Sequence, residues 1–102
     1  YRAANRRMLE YAMSKAALHT LTRSLAKQLA PGITVNAVAP GMIESKEIQE
    51  RLTPQEQEAL RKSIPLARAG TAREISNAVR FLLENDYVTG EILNINGGTQ
   101  FV

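Results

Sequence analysis

The fold of this chain is decided by the stretch Ile33-Thr-Val-Asn-Ala-Val-Ala39, which Pro40-Gly41 follows directly. The run is short, β-branched and nearly continuous in apolar residues, a pattern that favours a strand covered on both faces, as in a parallel sheet. Asn36 needs a hydrogen-bond partner if it is buried, and we interpret it as structural. Pro40-Gly41 then lies at the carboxyl end of the strand, where ligands of open α/β sheets bind and where glycine leaves room for a flat ring. A plain turn after the strand is the alternative explanation of the pair.

A long helix is predicted before this strand. From about Tyr11 to Ala30, leucines recur at spacings of three and four, at positions 18, 21, 25 and 29. This period predicts a helix whose leucine face packs against the sheet, with small residues beside it that would also permit a second helix to approach. Pro31-Gly32 ends the helix. Residues 1–10 mix basic and small side chains, and we expect a loop or lid edge there.

Two short helices are predicted within residues 42–67, a polar and charged segment. One lies near Ser45–Leu52, and the other runs from Pro54 to about Lys62. The pattern Thr53-Pro-Gln-Glu56 is a capping box with proline at the first helical position, and it predicts where the second helix starts.

A fourth helix and a second strand complete the pattern. Thr71-Ala-Arg-Glu74 repeats the capping box and starts a helix whose buried face would hold Ile75, Ala78, Val79 and Leu82. Ile92-Leu-Asn-Ile95 alternates as a strand does, and Asn96-Gly-Gly98 predicts a turn after it. The order helix, strand, helices, strand is α/β. Two strands make a poor sheet, so we expect further strands to come from outside these residues.

Composition fits one small globular domain. The chain has 102 residues, 44% of them hydrophobic and 23% charged, and a formal net charge of +3. Arginines at positions 2, 6 and 7 could contact phosphate, but a solvated segment explains them better, so no nucleic-acid partner is expected. With no cysteine and one histidine, neither a disulfide framework nor a metal centre is expected. No apolar run approaches the roughly 20 residues of a membrane span and no signal peptide is evident, so we expect a cytoplasmic protein.

Tyr11 and Lys15 form the candidate catalytic pair. Residues four apart lie on one face of a helix, so the phenol and the ammonium are expected to meet there. A free phenol is almost wholly protonated at neutral pH, and a nearby ammonium favours the phenolate. The phenol thereby becomes a better proton donor in a reduction and a better base in an oxidation. Taken alone, the spacing is more typical of a structural or solvent-facing pair.

Together these motifs resemble the short-chain dehydrogenase/reductase family. Its motifs follow in the family's order over most of the chain, namely Tyr11-Ala-Met-Ser-Lys15, Leu21-Thr-Arg-Ser-Leu-Ala26, Val35-Asn-Ala-Val-Ala-Pro-Gly41, Pro65-Leu-Ala-Arg68, Val88-Thr-Gly90 and Asn96-Gly-Gly98. The segment Leu52–Gln57 and the ending Val88–Val102 look most like the bacterial 3-oxoacyl-(acyl-carrier-protein) reductase branch. The resemblance implies the C-terminal part of a Rossmann-like, doubly wound parallel sheet with flanking helices, incomplete without an N-terminal part. Residues 1–102 would be the catalytic and substrate-lid part of that single domain, with the lid at about residues 44–67.

The resemblance implies an oxidoreductase that transfers a hydride between a nicotinamide cofactor and a carbonyl or secondary alcohol, in this branch a 3-oxoacyl thioester of fatty acid biosynthesis. Tyr11 would be the proton donor, and Lys15 would hydrogen-bond the nicotinamide ribose and favour the phenolate. The cofactor-binding set would comprise Tyr11, Lys15, Pro40, Gly41, Ile43 and Ser45. Within it, Ile43 would meet the carboxamide through its backbone, and Ser45, where the family usually has threonine, would reach the phosphates.

The resemblance also implies partners and absences. It favours NADP(H) over NAD(H), although the selecting residue is not in this sequence, and a homo-oligomer, either a dimer or a homotetramer. The substrate would be a small molecule or be bound to an acyl carrier. The family's glycine-rich phosphate turn and its substrate-polarising serine are missing, so residues 1–102 alone are predicted to be inactive unless a lost, cleaved or separate N-terminal part is supplied. A non-catalytic oligomerisation module derived from the same fold is the alternative.

Overall fold

A computed structural model describes residues 3–99, with side chains described from Met8 to Thr99. Its elements follow in the order α1 (Ala3–Leu29), β1 (Ala37–Pro40), α2 (Lys46–Arg51), α3 (Pro54–Lys62), α4 (Ala72–Glu84) and β2 (Ile92–Ile95). The two strands pair in a two-stranded sheet. The pairing is parallel, because the N–H groups of Ala37 and Gly41 donate to the carbonyls of Glu91 and Ile95, each at 2.9 Å. The predicted arginine cluster at positions 2, 6 and 7 lies outside the described side chains.

The chain divides into two compact units. One comprises Tyr1–Ala37 with Asp86–Ile92, and the other comprises Val38–Asn85 with Leu93–Val102. Each unit has a small apolar core of its own. Ala26 and Ile92 are buried in the first unit, and Ile64 and Leu82 are buried in the second. Within residues 3–99, no helix is both long and apolar enough to cross a membrane.

Helix α1 begins eight residues earlier than predicted, at Ala3 rather than near Tyr11. The expectation of a loop over residues 3–10 is therefore wrong. These residues contain neither glycine nor proline, and most of them are alanine, arginine, methionine, leucine or glutamate, which lose little freedom in a helix. The helix continues because nothing in this stretch stops it.

The leucine face predicted for α1 is not the buried face. Leu18 and Leu21 are about half exposed, whereas Thr22 and Ala26 are buried. Ala26 lies beneath Gly90, where an added Cβ would be 3.5 Å from the Ala26 methyl group. Small residues therefore face the remainder of this unit, whereas Leu25 is half-buried and the other three predicted leucines are exposed.

Strand β1 begins at Ala37, later than the predicted start at Ile33. The preceding residues are held by side-chain hydrogen bonds and by a backbone hydrogen bond, from the Gly90 N–H to the Val35 carbonyl at 2.7 Å. The Asn36 amide donates to the Val88 carbonyl at 3.0 Å, and its oxygen accepts from the Glu91 N–H at 3.0 Å. Thr89 adds a hydrogen bond, since its hydroxyl oxygen accepts from the Val35 N–H at 3.0 Å. The interpretation of Asn36 as structural is confirmed.

The predicted helix starts in the second unit are confirmed. Both capping boxes form, with Thr53 and Glu56 at the start of α3 and with Thr71 and Glu74 at the start of α4. Helix α4 buries Leu82 as expected, whereas Val79 is exposed. The turn predicted after β2 is present and contains Gly97 and Gly98, both with positive φ.

Candidate functional site

Tyr11 and Lys15 contact each other on one face of α1. The Lys15 ammonium lies over the Tyr11 ring, with Nζ 5.5 Å from the ring centroid. This distance is within the range of a cation–π contact, in which the cation is attracted to the negative face of the ring. Tyr11 is 60% exposed. The pair therefore combines an exposed tyrosine with a positive charge held beside its ring.

The two strand ends meet at Gly41. A Cβ added to Gly41 would lie 2.5 Å from the Cβ and 2.8 Å from the Cα of Asn96, the residue that follows β2. Carbon atoms do not pack this closely, so only glycine allows the approach. The glycine is required by the chain's own backbone, whether or not a ligand ring lies on its other side. Pro40 ends β1 and is exposed.

Ile43 pairs with Gly70 in an isolated parallel bridge. The Gly70 N–H donates to the Met42 carbonyl at 2.9 Å, and the Glu44 N–H donates to the Gly70 carbonyl at 2.8 Å. In such a bridge the N–H and C=O of the central residue point away from its partner. Among the described residues, no hydrogen bond engages the N–H or C=O of Ile43. The N–H and C=O of Ile43 thus point to the side opposite Gly70, where no described residue hydrogen-bonds to them.

Ser45 is the N-cap of α2. Its side-chain oxygen accepts from the Ile48 N–H at 3.2 Å, and the residue is exposed. A hydroxyl group can accept one hydrogen bond and donate another at the same time. Capping the helix therefore leaves the Ser45 proton for an acceptor outside the chain.

Arg68 and Glu74 form a bidentate ion pair in the second unit. Arg68 donates to both carboxylate oxygens of Glu74, at 2.7 and 2.8 Å, and the Thr71 N–H donates to one of them at 3.0 Å. These hydrogen bonds, first those from Arg68 and then that from Thr71, lower the pKa of Glu74 to about 2. The carboxylate closes the capping box of α4 and binds the segment before it.

An open cleft of about 350 Å³ lies between the start of α4 and the end of β2. Pro40, Gly41, Ile43 and Ser45 are not among its lining residues, which are Leu66, Arg68, Gly70, Glu74, Asn94, Ile95, Asn96, Gly97 and Gly98. The charged residues of this lining already pair with each other. The cleft therefore offers no unpaired charge to a ligand. Throughout the described part of the chain, no group of three or more His, Asp or Glu side chains could hold a metal ion.

The predicted site residues belong to different units. Tyr11 and Lys15 lie in the first, and the residues from Pro40 to Ser45 lie in the second. Sequence analysis missed Gly70, whose pairing leaves the backbone of Ile43 available. It also missed the double use of Glu74. The one available signal was position, since Gly70 directly precedes the capping-box residue Thr71.

Comparison with known sequences gives consistent matches. The family model described as enoyl-(acyl carrier protein) reductase matches residues 2–100. The chain is 45% identical over 91 residues to the uncharacterized oxidoreductase YmfI of Bacillus subtilis. The aligned residues make up 86% of this chain and 37% of that protein. It is 43% identical over 95 residues to the 3-oxoacyl-[acyl-carrier-protein] reductase FabG of Escherichia coli, covering 90% of this chain and 38% of that one. The chain spans about two fifths of the length of these curated relatives.

Solved structures share the fold. A small-chain dehydrogenase in complex with NADPH superposes with a TM-score of 0.67 at 33% identity, over 82% of this chain and 39% of that one. A Burkholderia xenovorans protein assigned to the short-chain dehydrogenases/reductases gives a TM-score of 0.73 at 37% identity, over 87% and 33%. These likenesses confirm the α/β class with parallel strands and flanking helices.

Proposed function

The chain belongs to the short-chain dehydrogenase/reductase family, and on this premise we propose that it is the catalytic and substrate-lid part of an NADPH-dependent reductase of 3-oxoacyl thioesters. The observation that carries the proposal is the contact of the Lys15 ammonium with the exposed ring of Tyr11. The relatives named as 3-oxoacyl-[acyl-carrier-protein] reductases support the substrate class.

Tyr11 donates the proton in this proposal. Its exposed phenol reaches the carbonyl oxygen of a bound substrate, and the oxygen receives the proton as charge develops on it. The phenol is left as a phenolate, which the Lys15 ammonium stabilises because the opposite charge is already in place. The rigid α1 backbone holds the two side chains together, so little ordering is needed when the reaction starts.

The residues after β1 fit a nicotinamide cofactor. The cofactor supplies the hydride when it is bound. The N–H and C=O of Ile43, which point away from Gly70, match the acceptor and donor of a carboxamide. The Ser45 hydroxyl keeps a proton for a phosphate oxygen while it caps α2. NADPH is proposed over NADH because a structure of the same fold contains NADPH.

The exposed side chains of α1 support a second candidate function, an assembly surface for a homo-oligomer. Large apolar side chains are exposed along this helix, namely Met8, Leu9, Met13, Leu18, Leu21 and Leu29. Exposed apolar residues of this size are frequent at protein interfaces. Light scattering of the purified chain tests this function, since a monomer at micromolar concentration would contradict it.

A chimera tests the reductase proposal. Residues 1–102 are fused behind the part of the Escherichia coli relative that precedes its matched region, and NADPH oxidation is followed with an acetoacetyl thioester. We expect the chimera to turn over and the isolated 102-residue chain to show no rate. Tyr11→Phe should lower kcat of the chimera by about 10²–10⁴-fold, the usual contribution of a positioned acid.

Tyr87→Phe is the matched control, because Tyr87 is a fully exposed tyrosine of the loop after α4. It should leave kcat unchanged. Wild-type kcat in Tyr11→Phe would exclude the phenol as the proton donor. NADPH oxidation by the isolated chain would show that the predicted dependence on an N-terminal part is wrong.

A further inference from the structure

We propose that the turn at residues 96–99 positions the substrate lid by holding both of its ends. The lid helices are α2 and α3, and residues 96–99 are called the anchor turn here. The inference rests on the proposed reductase function, since that function makes the segment a lid. The anchor turn would act through the lid and would not itself contact substrate or cofactor.

The C-terminal end of the lid packs on the glycines of the anchor turn. Ile64 is 4% exposed, and a Cβ added to Gly97 would lie 2.7 Å from its Cγ2. The Leu66 N–H donates to the Gly97 carbonyl at 3.0 Å. A Cβ on Gly98 would lie 3.2 Å from the Cβ of Pro65. Residues 64–66 therefore pack so closely on Gly97 and Gly98 that neither glycine position has space for a side chain.

The N-terminal end of the lid meets the same turn. Gly41 lies against Asn96 at a distance that excludes a Cβ, and its N–H donates to the Ile95 carbonyl. Two residues later, the bridge between Ile43 and Gly70 joins the chain entering the lid to the chain leaving it. Both ends are thereby fixed within a few residues of Asn96.

The anchor turn is held by its own hydrogen bonds. The Asn96 side-chain oxygen accepts from the Gly98 N–H at 3.0 Å. The Asn96 carbonyl accepts from the N–H and the hydroxyl of Thr99, at 3.2 and 2.8 Å. The turn can therefore serve as a fixed support.

The lid helices have no core of their own. Neither α2 nor α3 contains a buried residue. The Gln57 side chain donates to the Leu52 carbonyl at 3.1 Å and so joins α3 to the end of α2. Segments with few buried contacts open at low free-energy cost, so the position of these helices depends on the ends that anchor them.

Hydrogen exchange on the 102-residue chain tests the inference. In Gly97→Ala, the new Cβ would push against Ile64. Amides of residues 46–62 should then exchange about tenfold faster than in the wild type, or more. A tenfold change corresponds to a loss of ~1.4 kcal/mol in the free energy of local opening. Amides of α1 and β2 should keep their rates. Gly90→Ala is the matched control, because Gly90 also has a positive φ, of 74° against 63° for Gly97, but its added Cβ meets Ala26 at an ordinary 3.5 Å.

Equal exchange of residues 46–62 in the two variants would overturn the inference, and so would uniform acceleration along the whole chain. In the chimera, Gly97→Ala should raise KM for the thioester several-fold and leave KM for NADPH unchanged. An effect on NADPH alone would also overturn it. A wild-type chimera that binds NADPH without turnover would refute the proposed function instead, and the exchange pattern would still decide whether the turn holds the lid.

Discussion

Replacing Gly41 by alanine should destabilise the chain by about 2 kcal/mol. The new Cβ would lie 2.5 Å from the Cβ of Asn96, whereas carbon atoms prefer a separation of about 3.5–4.0 Å. A second distance, 2.8 Å to the Cα of Asn96, shows that backbone and not a mobile side chain must move. Overpacking of this kind costs about 1–3 kcal/mol, and its midpoint of about 2 kcal/mol lowers the folding equilibrium constant roughly 30-fold.

Urea unfolding followed by circular dichroism measures this loss. With a slope of about 1–3 kcal/mol per molar urea, the midpoint should fall by about 1 M. Gly32→Ala is the control, because the nearest atom to its added Cβ is the Leu29 carbonyl oxygen at 4.0 Å. This variant should stay within about 0.5 kcal/mol of the wild type. Equal midpoints for the two variants would refute the packing argument, and loss of NADPH binding by Gly41→Ala in the chimera without loss of stability would assign this glycine to the ligand.

Two further predictions concern side-chain hydrogen bonds and charge. Asn36→Ala should lower the free energy of unfolding by about 2 kcal/mol, about 1 kcal/mol for each of its two hydrogen bonds to the segment before β2. Urea unfolding measures this loss, with the exposed Gln28→Ala as the control. A loss below about 0.5 kcal/mol would contradict the prediction. The pKa of Glu74 is about 2 in the folded chain against an ordinary 4.5, so the unfolded chain binds more protons between these values. The stabilisation is complete above about pH 4.5 and is lost as the pH falls towards 2, so Glu74→Gln should flatten the fall of stability across this window. Glu84→Gln, which removes a carboxylate from the exposed pair with Arg80 on the same helix, should leave the fall intact, and equal slopes in the two variants would exclude Glu74 as its source.

The starts of α3 and α4 could be predicted from the sequence because their causes are local, whereas the start of α1, which has no capping motif in the sequence prediction, was placed eight residues too late. The capping boxes at Thr53 and Thr71 need only the residues three positions onward, and the structure starts α3 and α4 at the predicted positions. The contact between Tyr11 and Lys15 was predictable for the same reason, since one helical turn brings them together. Their catalytic and cofactor-binding roles stay predictions.

Features that depend on distant residues could not be predicted in the same way. Gly41 was predicted to leave space for a ligand ring. The Cα and Cβ of Asn96, 55 positions later in the chain, occupy the space that a Cβ of residue 41 would need. The late start of β1 has a similar cause, because Asn36 hydrogen-bonds to residues more than fifty positions away. The spacing of the leucines in α1 correctly predicted a helix. The spacing alone could not predict which face of the helix is buried among the described residues.

The shared use of Glu74 limits how this region can be recombined with that of a relative. One carboxylate completes the N-terminus of α4 and binds the guanidinium of Arg68, which lies outside the helix. A crossover placed between Arg68 and Thr71 would keep the capping box of α4 whole but separate its Glu74 carboxylate from the Arg68 guanidinium. Breakpoints are better placed before the whole stretch 68–74, so that it is inherited as one block.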